Sequence, residues 1–194
     1  MKQKLSLILL ILSIACDLFS QNLISKDLPL YDVLSDNEIT MNSFNSHRAV
    51  VLVFTSIHCP YSKLYKDRVT ALSEEFADKN VRFFFINANV SDPTKNETIA
   101  DMKQEAATSS KKLRYYADKD HRVRKSLKVE KNPEVIILTP SSEGFKKVYQ
   151  GAIDDSPQAE NMVKNNYVKT TLNDLLSNKS VAVAYQKPVG CRIR

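Results

Sequence analysis

Cys59 is the residue in this sequence best placed to do chemistry. It ends a continuous apolar, β-branched run, Ala49-Val50-Val51-Leu52-Val53-Phe54-Thr55, and a short corner, Ser56-Ile57-His58, and Pro60 follows it at once. Proline suits the first turn of a helix, where its missing N–H costs nothing. The pattern predicts Cys59 at a strand-to-helix corner, facing the unpaired N–H groups and the positive dipole end of the helix. Both favour thiolate over thiol, so the expectation is a lowered Cys59 pKa and a nucleophilic sulfur. Lys63, one turn further on, and Lys66 add positive charge. His58 is adjacent in sequence, which does not set its ring against the sulfur; it is expected as a turn residue lining the site. The plain alternative is an inert buried cysteine. With three cysteines and three histidines in 194 residues, other candidates are few, and a Cys59–His58 metal pair lacks further ligands at convincing spacing. Only three glycines exist, Gly144, Gly151 and Gly190. Clustered-glycine phosphate and dinucleotide loops are thereby excluded. GxSxG, HExxH and paired CxxC motifs are absent as well.

The elements that must hold Cys59 follow from hydrophobic patterning. Residues 28–44 read as two short strands around Ser35-Asp36-Asn37. The run 49–55 reads as a strand covered on both faces. Leu64, Val69, Leu72 and Phe76 recur at near-helical spacing, predicting a helix from Pro60 through Asp78. Val81–Ala88 is a second buried strand, and Ile99, Met102 and Ala106 mark a polar helix. A short strand at 113–117, a basic helix at 118–127, a third buried strand at 135–138 and a strand from Phe145 to Gln150 follow. Residues 152–166 read as loop. Tyr167, Leu172, Leu175 and Leu176 belong to a last helix, and residues 178–194 form an extended arm. Alternation of buried strands with helices predicts one α/β layered domain. Tyr115 and Tyr116 are expected to pack rather than to line a groove.

Several of these segments resemble a known family. Val50–Tyr61 (VVLVFTSIHCPY) with its following helix resembles the active-site strand, turn and helix of the thioredoxin superfamily. Cys59-Pro60-Tyr61-Ser62 resembles the CxxC corner, with Ser62 where a second cysteine would stand. Asn132-Pro133, leading into Glu134–Leu138, resembles the cis-proline and the strand after it. Tyr149-Gln150-Gly151-Ala152-Ile153-Asp154-Asp155 and Gly190-Cys191-Arg192-Ile193 resemble an exported redoxin branch, often grouped with AhpC/TSA or peroxiredoxin-like proteins. The resemblance spans about residues 28–194.

It implies an α/β thioredoxin-like fold: a central mixed sheet flanked by helices on both faces, with an N-terminal β-hairpin extension. It implies thiol–disulfide chemistry at Cys59, in a groove shaped by His58, Pro60, Tyr61, Ser62, Asn132 and Pro133. The substrate would be a thiol- or disulfide-bearing protein or a small peroxide, with no organic cofactor and no metal. The departures bear on activity. Ser62 cannot resolve a mixed disulfide, and Val53 stands where thioredoxins often keep a buried acid. The peroxiredoxin pattern PxxxTxxC is not met, since Leu52 and Ser56 replace its Pro and Thr. Arg68 and Arg82 are the candidates to steady a peroxide oxygen. Cys191 is the candidate resolving partner. An arm of about fifteen residues, advancing about 3.3 Å each, has the reach to fold back. A reversible Cys59–Cys191 disulfide, two free thiols, and pairing of Cys191 between subunits all stand. Thiol–disulfide exchange, a thiol-dependent peroxidase and a non-catalytic binding module of the same fold are the three functional readings, so enzyme activity itself is left open.

The N-terminus reads as an address. Lys2 and Lys4 precede an apolar run from Leu5 to Ala15, too short to cross a bilayer comfortably and followed by small residues. Residues 1–20 are read as a signal peptide and 21–194 as the redoxin domain, exported to the periplasm. A lipoprotein anchored through Cys16 is the alternative, weakened by Ser13, where a leucine is usual. Loss of Lys2, Lys4 and Asp17 leaves a net charge of +5 of the original +6. The basic stretch His121–Lys131 reads as a solvated helix face, and nucleic-acid binding is not expected. Oligomeric state is not readable.

Overall fold

The structure, a computed structural model, describes residues 23–90, 97–108 and 113–193. Residues 1–20 and Cys16, and with them the signal-peptide and lipid-anchor expectations, lie outside these. The chain opens with β1 (Leu23–Ile24) and a hairpin, β2 (Pro29–Asp32) and β3 (Asn37–Thr40), closed by a turn in which Asp36 adopts φ 55°. β4 (Ala49–Phe54), α1 (Pro60–Glu75), β5 (Val81–Asn87), α2 (Ile99–Thr108) and β6 (Tyr115–Ala117) follow. Then come α3 (Arg122–Leu127), β7 (Lys131–Asn132), β8 (Glu134–Pro140), β9 (Phe145–Gly151) and α4 (Tyr167–Leu176). The arm carries β10 (Tyr185–Gln186) and β11 (Cys191–Arg192).

The strands form one mixed sheet in the order β1-β9-β8-β4-β5-β6-β2-β3, with β10 alongside β9. β4, β5 and β6 run parallel, while β8 is antiparallel to β4 and β9 antiparallel to β8. β11 pairs with β7 as a separate two-stranded ladder.

Strand alternation divides the core into two layers. Val51 and Val53 of β4, Phe83 and Phe85 of β5 and Val135 and Ile137 of β8 face one layer. There they meet Tyr65, Val69 and Leu72 of α1, Met102 of α2, and Val168 and Leu172 of α4. Val50, Leu52 and Phe54, with Phe84, Ile86, Ile136 and Leu138, face the other layer, closed by Met41, Phe44 and Val123 and Leu127 of α3. A central strand apolar on both faces is the consequence of helices on both sides. Each such fully buried side chain contributes about 1.5–3 kcal/mol of transfer free energy.

The architecture agrees with the α/β mixed sheet, helices on both faces and N-terminal hairpin that the sequence implied. Tyr115 and Tyr116 are both buried packing residues. One apolar position differs. Leu64 is 47% exposed, because the sheet-facing stripe of α1 runs through Ser62, Tyr65, Arg68, Val69 and Leu72 instead. Two polar residues on this stripe are buried because each finds a partner inside. α1 also ends at Glu75, three residues short of expectation, and a 3-10 turn at Ala77–Lys79 continues it. β1 and the two arm strands carry too few residues to show a period in sequence.

Candidate active site

Cys59 is the N-cap of α1, with extended backbone (φ −73°, ψ 121°), and Pro60 opens the helix. The residue is 4% exposed. Its sulfur is bonded to that of Cys191, 132 positions away, with the Cα atoms 6.0 Å apart. Cys59 Sγ also lies 3.1 Å from the carbonyl oxygen of Asn132. The Asn132-Pro133 peptide bond is cis, and Pro133 and Asn132 are both buried. Two opposed influences therefore meet at this sulfur once it is reduced. The N–H groups of the helix mouth favour the thiolate, and a carbonyl at hydrogen-bonding distance favours the thiol.

The corner before Cys59 is held from beneath by a residue the sequence reading did not single out. Glu97, 3% exposed, accepts hydrogen bonds from Ser56 Oγ and Asn87 Nδ2. It also accepts from the His58 backbone N–H at 3.2 Å. Val53 is itself an apolar core residue, and the buried carboxylate under this corner comes from outside the strand, from a residue 41 positions from Ser56. No spacing signal marks it. Glutamate in a mixed polar stretch is ordinary, and only its burial gives it a role.

The remaining groove candidates take separate places. Ser62 is buried and accepts from the Ser56 N–H at 3.3 Å, tying the end of β4 to the first turn of α1. A hydroxyl thus stands facing the corner at the position of the second cysteine in a CxxC pattern, without its chemistry. His58 and Pro60 are exposed and Tyr61 is partly exposed, so these three border the corner on its solvent side. Lys66 reaches Glu105 at 2.5 Å and Lys63 is exposed.

Neither arginine considered for a peroxide oxygen is placed for it. Arg68 Nη1 donates to Asp154 Oδ2 at 3.0 Å and to the Ser156 carbonyl at 2.8 Å. Arg82 Nη1 donates to the Ala77 carbonyl at 2.9 Å. Arg68 instead fixes the loop after β9. Tyr65 donates to Asp154 Oδ1 at 2.7 Å, and burial together with that carboxylate raises the Tyr65 pKa. This buried cluster pins residues 154–157 to α1. A cleft of about 200 Å³ remains between that loop, Pro133 and the arm, bordered by Tyr65, Tyr167 and Val189.

The arm crosses the site as an added strand. Cys191 pairs with Asn132 and Arg192 with Lys131 in antiparallel register, and the Ile193 N–H donates to the Glu130 carbonyl at 2.9 Å. Upstream, Tyr185 pairs with Gln150 and Gln186 with Gly151. Gly151 has φ +132°, and a Cβ there would stand 1.7 Å from the Gln186 carbonyl oxygen. A glycine is required where the arm crosses β9. Among the described residues, no three His, Cys, Asp or Glu side chains converge as a metal site.

A helix-capping cysteine after a buried parallel strand, opposite a cis-proline at the head of an antiparallel one, is the arrangement of the thioredoxin-like proteins. Residues 25–143, more than half of the chain, match the Redoxin family, and the chain belongs to it. No curated protein matches it in sequence. Among solved structures it is similar to an uncharacterized conserved protein from Geobacillus kaustophilus, at 26% identity and a TM-score of 0.77, over 89% of this chain and 91% of that one. A hypothetical protein from Sinorhizobium meliloti 1021 is 21% identical with a TM-score of 0.73, over 88% and 93%. The exposed lipoprotein thioredoxin of Streptococcus pneumoniae shares the fold at 16% identity and a TM-score of 0.56, over 76% and 98%.

Proposed function

We propose that the protein is an exported thiol–disulfide oxidoreductase in which Cys59 reacts with substrate and Cys191 resolves the adduct. The observation that carries this reading is the position of Cys59: it caps α1 beside Pro133 and shares a disulfide with the arm. In the reducing direction, the Cys59 thiolate attacks one sulfur of a substrate disulfide, and the other sulfur leaves as a thiolate. The Cys191 thiolate then attacks Cys59 Sγ, the substrate sulfur departs, and the Cys59–Cys191 bond closes. Two electrons pass from the dithiol pair to the substrate, and an external thiol restores the pair. Ser62 takes no part in resolution, because a hydroxyl cannot form a disulfide; it holds the corner instead. Residues 1–20 are the signal peptide in this reading, with anchoring through Cys16 as the alternative. A stable disulfide suits an oxidising compartment.

The test is direct. Cys191→Ser leaves Cys59 without its resolving partner, so mixed disulfides with client proteins accumulate on non-reducing gels. The double variant with Cys59→Ser shows none. The alkylation midpoint of Cys59 in Cys191→Ser falls below the free-thiol value of about 8.5. No adducts and a midpoint at or above that value overturn the oxidoreductase in favour of a binding module. Rapid hydrogen peroxide consumption with sulfenic acid at Cys59 would make it a thiol peroxidase.

A further inference from the structure

The arm lies as a paired strand on the edge beside Cys59 and hands it a sulfur, so its residues describe one sequence that this edge accepts. The argument rests on Cys59 as the reacting cysteine. A strand that pairs with Lys131 and Asn132 and also hands a sulfur to Cys59 has no freedom of register. A slip of one residue turns its cysteine to the opposite face, and a slip of two carries the sulfur about 7 Å along the strand. The register seen for the arm, Cys191 opposite Asn132, is the register any such strand adopts.

Two positions around that cysteine are then selective. The preceding residue lies flat on the Asn132–Pro133 backbone. A Cβ on Gly190 would stand 2.1 Å from the Asn132 carbonyl oxygen, 2.6 Å from its carbon and 3.0 Å from the Pro133 nitrogen. All three are backbone atoms, with no flexible side-chain end to give way, so the seat admits glycine alone. The residue two beyond the cysteine, Ile193, is 3% exposed and belongs to the apolar layer that includes Val123, Leu127 and Val129. Arg192 between them is exposed and goes unread.

We propose that the edge formed by Lys131 and Asn132 is a recognition seat for an extended segment of a partner protein carrying Gly-Cys-X-aliphatic, added as a strand. Residues 190–193 are the tethered copy of that sequence. Arm and partner compete for one seat. The Cys59 thiolate attacks the partner cysteine's sulfur, whose former disulfide mate leaves as a thiolate. When Cys191 attacks Cys59 Sγ, the partner thiolate leaves and the arm retakes the edge. Resolution and product release are the same event.

The experiment uses full-length Cys191→Ser and the pentapeptide Val-Gly-Cys-Arg-Ile, its cysteine carried as a disulfide to thionitrobenzoate. Release of thionitrobenzoate reports attack by Cys59. Val-Ala-Cys-Arg-Ile and Val-Gly-Cys-Arg-Ser are expected to react about tenfold or more slowly, and Val-Gly-Cys-Ala-Ile at an unchanged rate. In the otherwise native chain, Gly190→Ala is expected to let the Cys59–Cys191 bond be reduced at a dithiothreitol ratio about tenfold lower, with Val183→Ala, at an exposed arm position, as the unchanged control. Equal rates for all peptides, with iodoacetamide still alkylating Cys59 readily, overturn the seat and leave the oxidoreductase standing. A Cys59 inert to every peptide and to iodoacetamide overturns both. Reoxidised native chain that forms a disulfide-linked dimer assigns the seat to a second copy and overturns the hetero-partner.

Discussion

At the scale of single residues, Glu97 shapes the site as firmly as Cys59 does. Three donors, Ser56 Oγ and the His58 N–H of the corner and Asn87 Nδ2 at the end of β5, end on one buried carboxylate. Buried donors left without an acceptor cost about 1–3 kcal/mol each. Glu97→Ala is therefore expected to lower the unfolding free energy by about 3 kcal/mol, read from urea unfolding. Glu97→Gln keeps one acceptor oxygen and turns an N–H₂ toward a donor, so its loss is smaller but real. A loss under about 1 kcal/mol for the alanine variant would show that the corner does not depend on this residue. Asn132 poses the opposite case: it is fully buried, its backbone serves Cys191, and its side-chain Oδ1 and Nδ2 find no partner among the described residues.

At the scale of elements, the short helix α3 shows how a two-turn piece is kept helical. Its N-cap, His121, sits at φ 58° and offers no side-chain cap. Asp118 substitutes, accepting from the Val123 N–H at 3.2 Å and the Arg124 N–H at 2.7 Å. Asp118→Ala should cost about 1 kcal/mol of stability. Burial, the largest influence, raises the Asp118 pKa above its ordinary 3.8, against the pull of those backbone N–H groups. Between 3.8 and the raised folded value, the folded chain binds more protons than the unfolded one. This group's contribution is thus full below 3.8 and is lost as pH rises through the folded value. Asp118→Asn keeps an acceptor and cannot titrate. Its stability relative to the native chain should climb as pH rises from 3.8 and then level off, as urea unfolding at stepped pH would read. A flat difference across that window would refute the assignment.

For the whole molecule, the disulfide is the longest-range constraint. It joins the corner of α1 to the end of the chain across 132 positions. A cross-link of that span removes conformational freedom from the unfolded chain, and a native disulfide contributes about 2–5 kcal/mol. Reduction by dithiothreitol, or Cys191→Ser, should lower the urea-unfolding free energy by that amount, equally in the two cases. Unchanged stability on reduction would mean that the arm adds nothing to the folded state. What holds the arm besides the sulfur is modest: two two-residue ladders with the backbone hydrogen bonds that flank them, and two buried residues, Pro188 and Ile193. Against these stands the ordering of the arm's backbone, at about 1–2 kcal/mol per residue.

The strand at 49–54, the corner, Pro60 and the helix after it were legible in sequence because each is written in a local pattern. Continuous burial, a proline at the first helical turn and a helical period all act within a few residues. Asn132-Pro133 and Cys191 were legible as candidates through the redoxin resemblance, though not their meeting. Leu64 misled because period alone does not say which neighbouring stripe of α1 faces the sheet; the paired Arg68 and Asp154 decide that. Only the tertiary structure brought Glu97 beneath the corner, laid Gly190 on the Asn132 carbonyl and closed Cys191 onto Cys59. These contacts join residues tens of positions apart, and which of them meet is set by the packing of the whole sheet rather than by any residue's own neighbours.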